Sequence, residues 1–598
     1  METVNTISAL VLLGLLAWAA WGLLPGWGRA DTGAKAPLAG KAAWGVKKRD
    51  AHKAARAGTG SAPAGALSPL AAPEEDAPLP LPWQIVLWAL VAAGVALRIF
   101  RFGAVPGGFN QDGAMAAVDA LALARHGTDR FGTWLPAHFT AWGYGQMSVL
   151  LSYCMVPFFW LFGMDSVTAR LPMLLWSLAG LGGVYALARQ LGGHRLGLFA
   201  LAVLALCPWH FMQSRWALDC NVFPHAFLLG LALLCRGAKR PAALYGSMVF
   251  FALCMYSYGL AFLTVPLFLL LACALLLGSR RVSWKQVLLC LAIYLGLSWP
   301  IYVTMLINAL GLETLALPFV TLPYFPQSVR SGDLIFFSDA PWEQLRLNAR
   351  ALWQVGFAQG PDLPWNAIEG FGTLFLWSWP LGLLGLGVAL RRALGAEGER
   401  RVLWRLLLLY WIAALFTGLC VRQVNINRLN ILFYAHGLFI AVGLAALLRL
   451  RPHAALPLLA VYALSACLFV QSYFGPWAER TSSLFYEDFL SAVTMAAEQQ
   501  PERLVITPDA QYTGSRAVSE ILTLYALDLD DCYLRGESDE TPSYRERFVY
   551  RNLTQEDLLA PAGGTVWVQK TASLPPDLPA GWQAQIVGDY CVLVYSGG

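Results

Sequence analysis

Charge is what this 598-residue chain has least of: Asp, Glu, Lys and Arg make up 13% of it, against 57% hydrophobic residues. With a mean hydropathy of +0.53, there is too little polar surface to cover a soluble globule of this size, which makes the chain a polytopic membrane protein. Acids are nearly missing from the apolar runs, whereas a secondary transporter places ionisable groups near the bilayer midplane on broken helices, and no internal repeat is evident. A nucleic-acid patch is also lacking, because the Lys and Arg residues behind the net charge of +5 occur in short clusters between apolar runs. The 11 cysteines include no pair at metal-ligand spacing. Cys207, Cys254, Cys273 and Cys290 sit inside apolar runs as small hydrophobes. Only Cys532 and Cys591 fall in a polar region, where they form one candidate disulfide if that region lies outside the cytoplasm. The run from Ile7 to Leu24 lacks the basic flank of a signal peptide and carries Glu2 instead, so it is expected to be a retained helix.

What is present is a series of apolar runs punctuated by basic clusters. Residues 1–27 are expected to form an N-terminal transmembrane helix, and residues 28–82, rich in Ala, Gly and Pro and carrying Lys47, Lys48 and Arg49, a flexible cytoplasmic linker. Clusters at Arg189/Arg195, Arg236/Lys239/Arg240, Arg280/Arg281/Lys285, Arg391/Arg392/Arg400/Arg401 and Arg449/Arg451 read as cytoplasmic too. Between them the ~20-residue criterion gives about twelve spans, with residues 83–474 as the membrane domain and 101–170 as its first external loop. The run 146–163 would invert every later cluster if it crossed, so it is assigned as re-entrant or surface-lying. From about residue 475 to 598 the chain turns polar, with strand-like runs at Leu504, Val566 and Tyr590, which predicts a small extracytoplasmic α/β domain. The expected fold is thus mainly α, a polytopic membrane helical bundle with an α/β C-terminal domain.

The notable polar residues all fall on the external side of this topology: Asp112 in the first loop, then Arg170, Arg215, Asp219 and Asn221, then Asn427 and Arg428. A carboxylate at a membrane surface stays ionised beside a lipid-borne substrate and can take a proton from an attacking hydroxyl or amine, while arginine forks match phosphate oxygens. Each residue also has a structural reading. Asp112 fits a helix N-cap ahead of Ala114, Asp219 an i, i+4 pair with Arg215, and Arg170 and Arg428 interfacial anchors. His138, His210 and His225 are isolated and lack metal-ligand spacing.

Four segments carry a resemblance: Pro106-Gly-Gly-Phe-Asn-Gln-Asp112, Ala169-Arg170-Leu-Pro172, Pro208-Trp-His-Phe-Met-Gln-Ser-Arg215-Trp-Ala-Leu-Asp219 and Val424-Asn-Ile-Asn-Arg428. In their order and topology, over about residues 84–475, the chain resembles the GT-C superfamily of polyprenyl-phosphate-dependent glycosyltransferases. The branch it is most similar to is the bacterial one related to protein O-mannosyltransferases and aminoarabinose lipid A transferases. The resemblance implies an inverting transfer of a sugar from a polyprenyl-phosphate donor to a protein, lipid or envelope-polymer acceptor. Asp112 would be the general base, with Arg170, Arg215, Asp219, Asn221 and Arg428 binding substrate and phosphate. Family members often carry Asp-Glu where this chain has Asp112-Gly113, so a divalent metal in the first loop is possible but not indicated, and no other cofactor is expected. The rival reading is a polyprenyl-lipid-binding or transport protein without transferase chemistry.

Overall fold

The computed structural model of the chain describes residues 79–142, 145–237, 239–326, 335–337, 339–360, 362–395, 398–510, 516–530 and 544–596. The expected N-terminal helix, the linker up to residue 78 and Cys532 lie outside the described residues.

Helix α1 (Leu81–Ile99) opens the membrane bundle, with Pro82 in its first turn where a missing N–H costs nothing. Next come α2 (Gln111–His126), the hairpin of β1 (Phe139–Ala141) and β2 (Gly145–Met147), and α3 (Leu150–Phe162). The bundle continues through α4 (Leu171–Leu206), α5 (Pro208–Gln213), α6 (Asp219–Gly237), α7 (Pro241–Met255), α8 (Ala261–Gly278) and α9 (Trp284–Leu310). After a hairpin of β3 (Leu315–Leu317) and β4 (Val320–Leu322) follow α10 (Pro341–Leu352), α11 (Trp379–Gly395), α12 (Gly398–Cys420), α13 (Ile426–Leu450) and α14 (Ala455–Phe474).

Among the described residues eight helices are long and apolar enough to cross a membrane. Fewer than the expected twelve spans stand out, for local reasons. The expected spans 171–190 and 196–213 adjoin within the 36 residues of α4 as two helical segments that meet at a kink, where Gly192 and Gly193 have non-helical dihedrals. Helix α7 has 15 residues and α11 has 17, because the residues before α11 form turns through Gly372 and Phe375, both at positive φ. The 13 residues of α3 extend about 20 Å, short of the ~30 Å hydrocarbon core. Instead α3 lies along α2, where Trp160 Nε1 donates to the Ala124 carbonyl (2.7 Å) and Ser152 Oγ to that of Ala116 (2.8 Å).

The centre of the bundle is α13, whose apolar window is 100% buried. It approaches α11 so closely that a Cβ on Gly385 would overlap the Phe439 carbonyl oxygen, and one on Gly443 the Leu381 carbonyl oxygen. Glycine at both positions allows backbone-to-backbone packing, the small-residue route to helix association in lipid. A second support is polar. Arg98 donates from Nη1 to the carbonyls of Gly94 (2.7 Å) and Ala205 (2.8 Å), and its Nη2 meets His210 Nδ1 at 3.0 Å. Tyr434 Oη then joins His210 Nε2 (3.0 Å) to His225 Nδ1 (2.7 Å), so one fully buried chain ties α1, α5, α6 and α13 together.

Beyond α14 the chain forms α15 (Pro476–Leu484), α16 (Glu487–Glu498), β5 (Arg503–Ile506), α17 (Arg516–Ala526), β6 (Phe548–Tyr550), β7 (Thr565–Lys570), β8 (Trp582–Val587) and β9 (Tyr590–Tyr595). The strands make one sheet in the order β6-β5-β7-β9-β8, parallel from β6 to β7 and antiparallel through the β8–β9 hairpin. This unit docks on α2: Phe109 stacks on Tyr525 with centroids 4.4 Å apart, and Asp530 accepts from Arg125 Nη1 and lies 3.0 Å from His126 Nε2. Burial pushes the Asp530 carboxyl up, but the bonds to Arg125 and His126 outweigh it and leave the group below its ordinary value.

Two outcomes follow. Gly443→Ala forces α11 and α13 apart and should lower the thermal unfolding midpoint, an overpacking cost of about 1–3 kcal/mol; an unchanged midpoint in detergent would show the contact to be loose. Because the folded Asp530 value is depressed, its contribution to docking is complete above about pH 4 and is lost as pH falls through that lower value. Hydrogen exchange in α17 should therefore rise on acidification in wild type, with a smaller change in Asp530→Asn.

Candidate active site at the first-loop helix

The loop between α1 and α2 is fixed by two buried arginines. Arg215, fully buried in the turn after α5, engages all five of its N–H groups. Nε donates to Tyr473 Oη (3.2 Å), Nη1 to the carbonyls of Leu97 (2.9 Å) and Arg98 (2.6 Å), and Nη2 to those of Arg101 and Val105 (3.0 Å each). These acceptors are the last turn of α1 and the residues beyond it, where carbonyls lack intrahelical partners and the helix dipole favours a cation. Arg170, 1% exposed, continues the pattern on Gly103 (2.8 Å), Pro106 (3.0 Å) and Gly108 (2.6 Å), with its guanidinium over the Phe109 ring. From the other side the Phe109 N–H donates to the Phe485 carbonyl (2.6 Å). Gly108 has φ +67° and a Cβ there would strike that same carbonyl, so both conformation and space require glycine.

The loop so held delivers α2. Asn110 is its N-cap, accepting from the Asp112 N–H at 3.0 Å. The cap reading of Asp112 is thereby corrected: the neighbour two residues earlier does that work, and Asp112 sits in the first turn facing a cavity of about 640 Å³. Asp219, Asn427, Arg428, Tyr258, Gln146 and Trp142 share this cavity. Asp219 opens α6, one of its oxygens accepting from the Cys220 N–H (2.6 Å), while Asn427 and Arg428 lie in the first turn of α13 behind the Asn425 cap (3.0 Å to the Arg428 N–H). The N-termini of α2, α6 and α13 thus converge on one space, a positive field suited to an anion. Tyr486 stands near Asp112 without lining the cavity: burial raises its phenol pKa, and the Asp112 charge raises it further.

The structure brings Asp112, Asp219 and Arg428 together, but not the other expected substrate-binding residues. Arg170 and Arg215 do not line the cavity, and their guanidinium groups are turned to backbone carbonyls. They position the Asp112 loop rather than meet a phosphate. The expected Arg215–Asp219 helix pair fails for the same reason, all five Arg215 donors being engaged elsewhere. Asn221 is fully buried and accepts from Asn430 Nδ2 (2.9 Å), beside Trp209 Nε1 on Asn430 Oδ1 (3.1 Å), a packing network outside the cavity. His210 and His225 belong to the Arg98 chain, and among the described residues no three His, Cys, Asp or Glu side chains gather as a metal site. Tyr258 and Tyr486 were not singled out from sequence. Only the positive φ of Tyr486 (58°), unusual for a non-glycine residue, marks its position as special, and that is a property of the backbone.

With this geometry in view, three comparisons bear on the chain. Residues 146–303, from β2 through most of α9, match the family model of dolichyl-phosphate-mannose-protein mannosyltransferases. No curated protein sequence matches the chain. Among solved structures, ArnT from Cupriavidus metallidurans bound to undecaprenyl phosphate superposes at 14% identity and TM-score 0.50, covering 86% of this chain and 98% of that one. The chain has the GT-C fold. The Archaeoglobus fulgidus oligosaccharyltransferase complexed with Zn and sulfate is more distant, at 14% identity and TM-score 0.47 over 81% of this chain and 68% of that one. The family match includes Asp219 but neither Asp112 nor Arg428, which the fold brings to the same cavity from either side of the matched segment.

Arg215→Lys retains the charge but offers three donors where five are used. It should destabilise the fold, each carbonyl left unpaired costing on the order of 1–3 kcal/mol, and open residues 101–109 to protease in otherwise folded protein. Wild-type protection of that loop would show its carbonyls to be held by other groups.

Proposed function

We propose that this protein is a membrane glycosyltransferase that moves a sugar from a polyprenyl-phosphate donor to an acceptor hydroxyl or amine at the extracytoplasmic face, with inversion. The observation that carries the proposal is the shared cavity of Asp112, Asp219 and Arg428 under three helix N-termini, on a fold similar to that of ArnT bound to undecaprenyl phosphate. The Arg428 guanidinium and the first-turn N–H groups of α13 receive the donor phosphate. The acceptor oxygen or nitrogen attacks the anomeric carbon, the bond from that carbon to the phosphate oxygen breaks, and its electron pair leaves with the polyprenyl phosphate. Asp112 takes the acceptor's proton as the new bond forms. A single displacement from the face opposite the phosphate inverts the anomeric centre. Asp219, across the cavity, orients the acceptor.

The extracytoplasmic orientation rests on the basic clusters, which gather at the helix ends away from Asp112. The acceptor is a protein, a lipid or an envelope polymer, recognised by the cavity rim and by the C-terminal unit, whose Tyr486 stands near Asp112. A protein that only binds or moves polyprenyl lipid would need the positive end of the cavity but not the Asp112 carboxylate.

The test is transfer from a panel of radiolabelled polyprenyl-phosphate sugars in membranes with matched expression. Asp112→Asn should lower turnover by roughly 10²–10⁴-fold, the usual share of a general base, with an unchanged unfolding midpoint. Arg428→Gln should mainly raise the KM for donor. Equal turnover by wild type and Asp112→Asn would remove Asp112 from the chemistry, and donor binding without transfer would favour the lipid-binding reading.

A further inference from the structure

The Asp112 cavity has one wall with no role in the displacement itself. Ala141, Trp142, Gln146 and Met147, from the β1–β2 hairpin, line it together with Asp112 and Arg428. A chain of hydrogen bonds ties this hairpin to α2. Asp119 lies about two turns beyond Asp112 on the same face of α2, by the 3.6-residue repeat, and is fully buried. It accepts from Arg130 twice, at Oδ2 from Nη1 (2.5 Å) and at Oδ1 from the backbone N–H (3.1 Å). The other arm of the guanidinium, Nη2, donates to the carbonyl of Thr140 (2.7 Å), which pairs with Gln146 across the hairpin. Arg130 leaves a turn fixed by Asp129, whose Oδ1 accepts from the N–H groups of Phe131 (3.0 Å) and Thr133 (2.8 Å). At the start of β1, Phe139 is fully buried and stacks on Tyr153 of α3 with centroids 6.3 Å apart. The hairpin is therefore held in a set place against the face of α2 that carries Asp112.

Trp142, in the turn after β1, has φ +53°, a backbone conformation that residues with a Cβ seldom adopt and that persists where the surroundings over-determine it. An indole and a carboxamide in one cavity answer two different parts of a sugar ring. Its C–H face packs on an aromatic plane, while its hydroxyls need a donor and an acceptor, both of which glutamine offers. We infer that the β1–β2 hairpin is the sugar-recognising wall of the cavity, with Trp142 covering the ring of the donor sugar, Gln146 bonding its hydroxyls, and Arg130 as the positioning residue that sets both against Asp112. The inference rests on the reading of this cavity as a donor site. It assigns the choice of sugar to side chains that hold neither the phosphate nor the acceptor's proton.

Binding of carrier diesters to the purified full-length protein, followed by native mass spectrometry, tests this without a transfer reaction. The probes are undecaprenyl phosphates esterified to mannose, glucose, galactose or arabinose, and undecaprenyl methyl phosphate, which has the same charge and no ring. Wild type should bind its best sugar diester about tenfold more tightly than the methyl diester, the gain expected of a ring contact and a net hydrogen bond. Trp142→Ala should bring that ratio to near one with the methyl diester bound as in wild type. Gln146→Leu should flatten the ranking among the sugars while a preference over the methyl diester remains. Arg130→Gln should lose the preference as Trp142→Ala does, and Arg130→Lys, which keeps the charge beside Asp119, should restore part of it. A ratio near one in wild type, or one unchanged in Trp142→Ala, would overturn the assignment. Equal weakening of every diester in Arg130→Gln would overturn the positioning role, since a loss of fold alone does not distinguish sugar from methyl. Failure of wild type to bind any diester, the methyl one included, would instead strike the donor reading on which the inference rests.

Discussion

The architecture depends on guanidinium groups bound to backbone carbonyls. Arg215 takes up the end of α1 and Arg170 the loop beyond it, so the eleven residues 100–110 acquire a single path between α1 and α2. A buried arginine is costly unless its donors are satisfied, and exposed carbonyls at a helix end are costly unless they find donors. Each deficit answers the other, with no carboxylate needed. The carboxylates of Asp112 and Asp219 are thereby left to line the cavity.

The same loop is the hinge of the whole assembly. On one side it continues the bundle through Arg98 and the buried His210–Tyr434–His225 chain. On the other it meets the C-terminal unit through the Phe109–Phe485 backbone bond and the stack on Tyr525, while the far end of α2 adds the Asp530 contact. The cavity is therefore a joint product. Its floor belongs to α6 and α13, its base to α2, and the C-terminal unit brings Tyr486 beside Asp112. Rigidity of the bundle, set by the glycine contact of α11 with α13, becomes precision in the distance between Asp112 and Arg428.

Much of this was readable from the chain. The apolar runs and basic clusters indicated a helical membrane bundle, the polar tail a strand-bearing unit, and the first-loop carboxylate a site of interest. Helix lengths were less legible: α7 and α11 have only 15 and 17 residues, and the two segments expected on either side of residues 190–196 meet directly at the kink of Gly192 and Gly193. The two arginines were misjudged because a guanidinium on phosphate and one on carbonyl oxygens look identical in sequence. Every residue carries a carbonyl, so the partner leaves no mark. Asn110 and Asp112 are equally good caps by type, and only the backbone path decides which one faces the amide groups.

By itself, then, the sequence determined what must be buried: 57% hydrophobic residues can be hidden only by lipid and by one another, and sparse charge must collect at helix ends. Tertiary structure alone decided which polar residues face open space. Asp112, Asp219 and Arg428 lie more than a hundred residues apart in turn and meet because three helix N-termini share one rim, whereas Arg170, Arg215 and Asn221, of the same residue types, are used up by the packing that puts them there. Whether a polar group is a tool or a tie depends on what lies across from it, and that is a matter of contacts between distant segments.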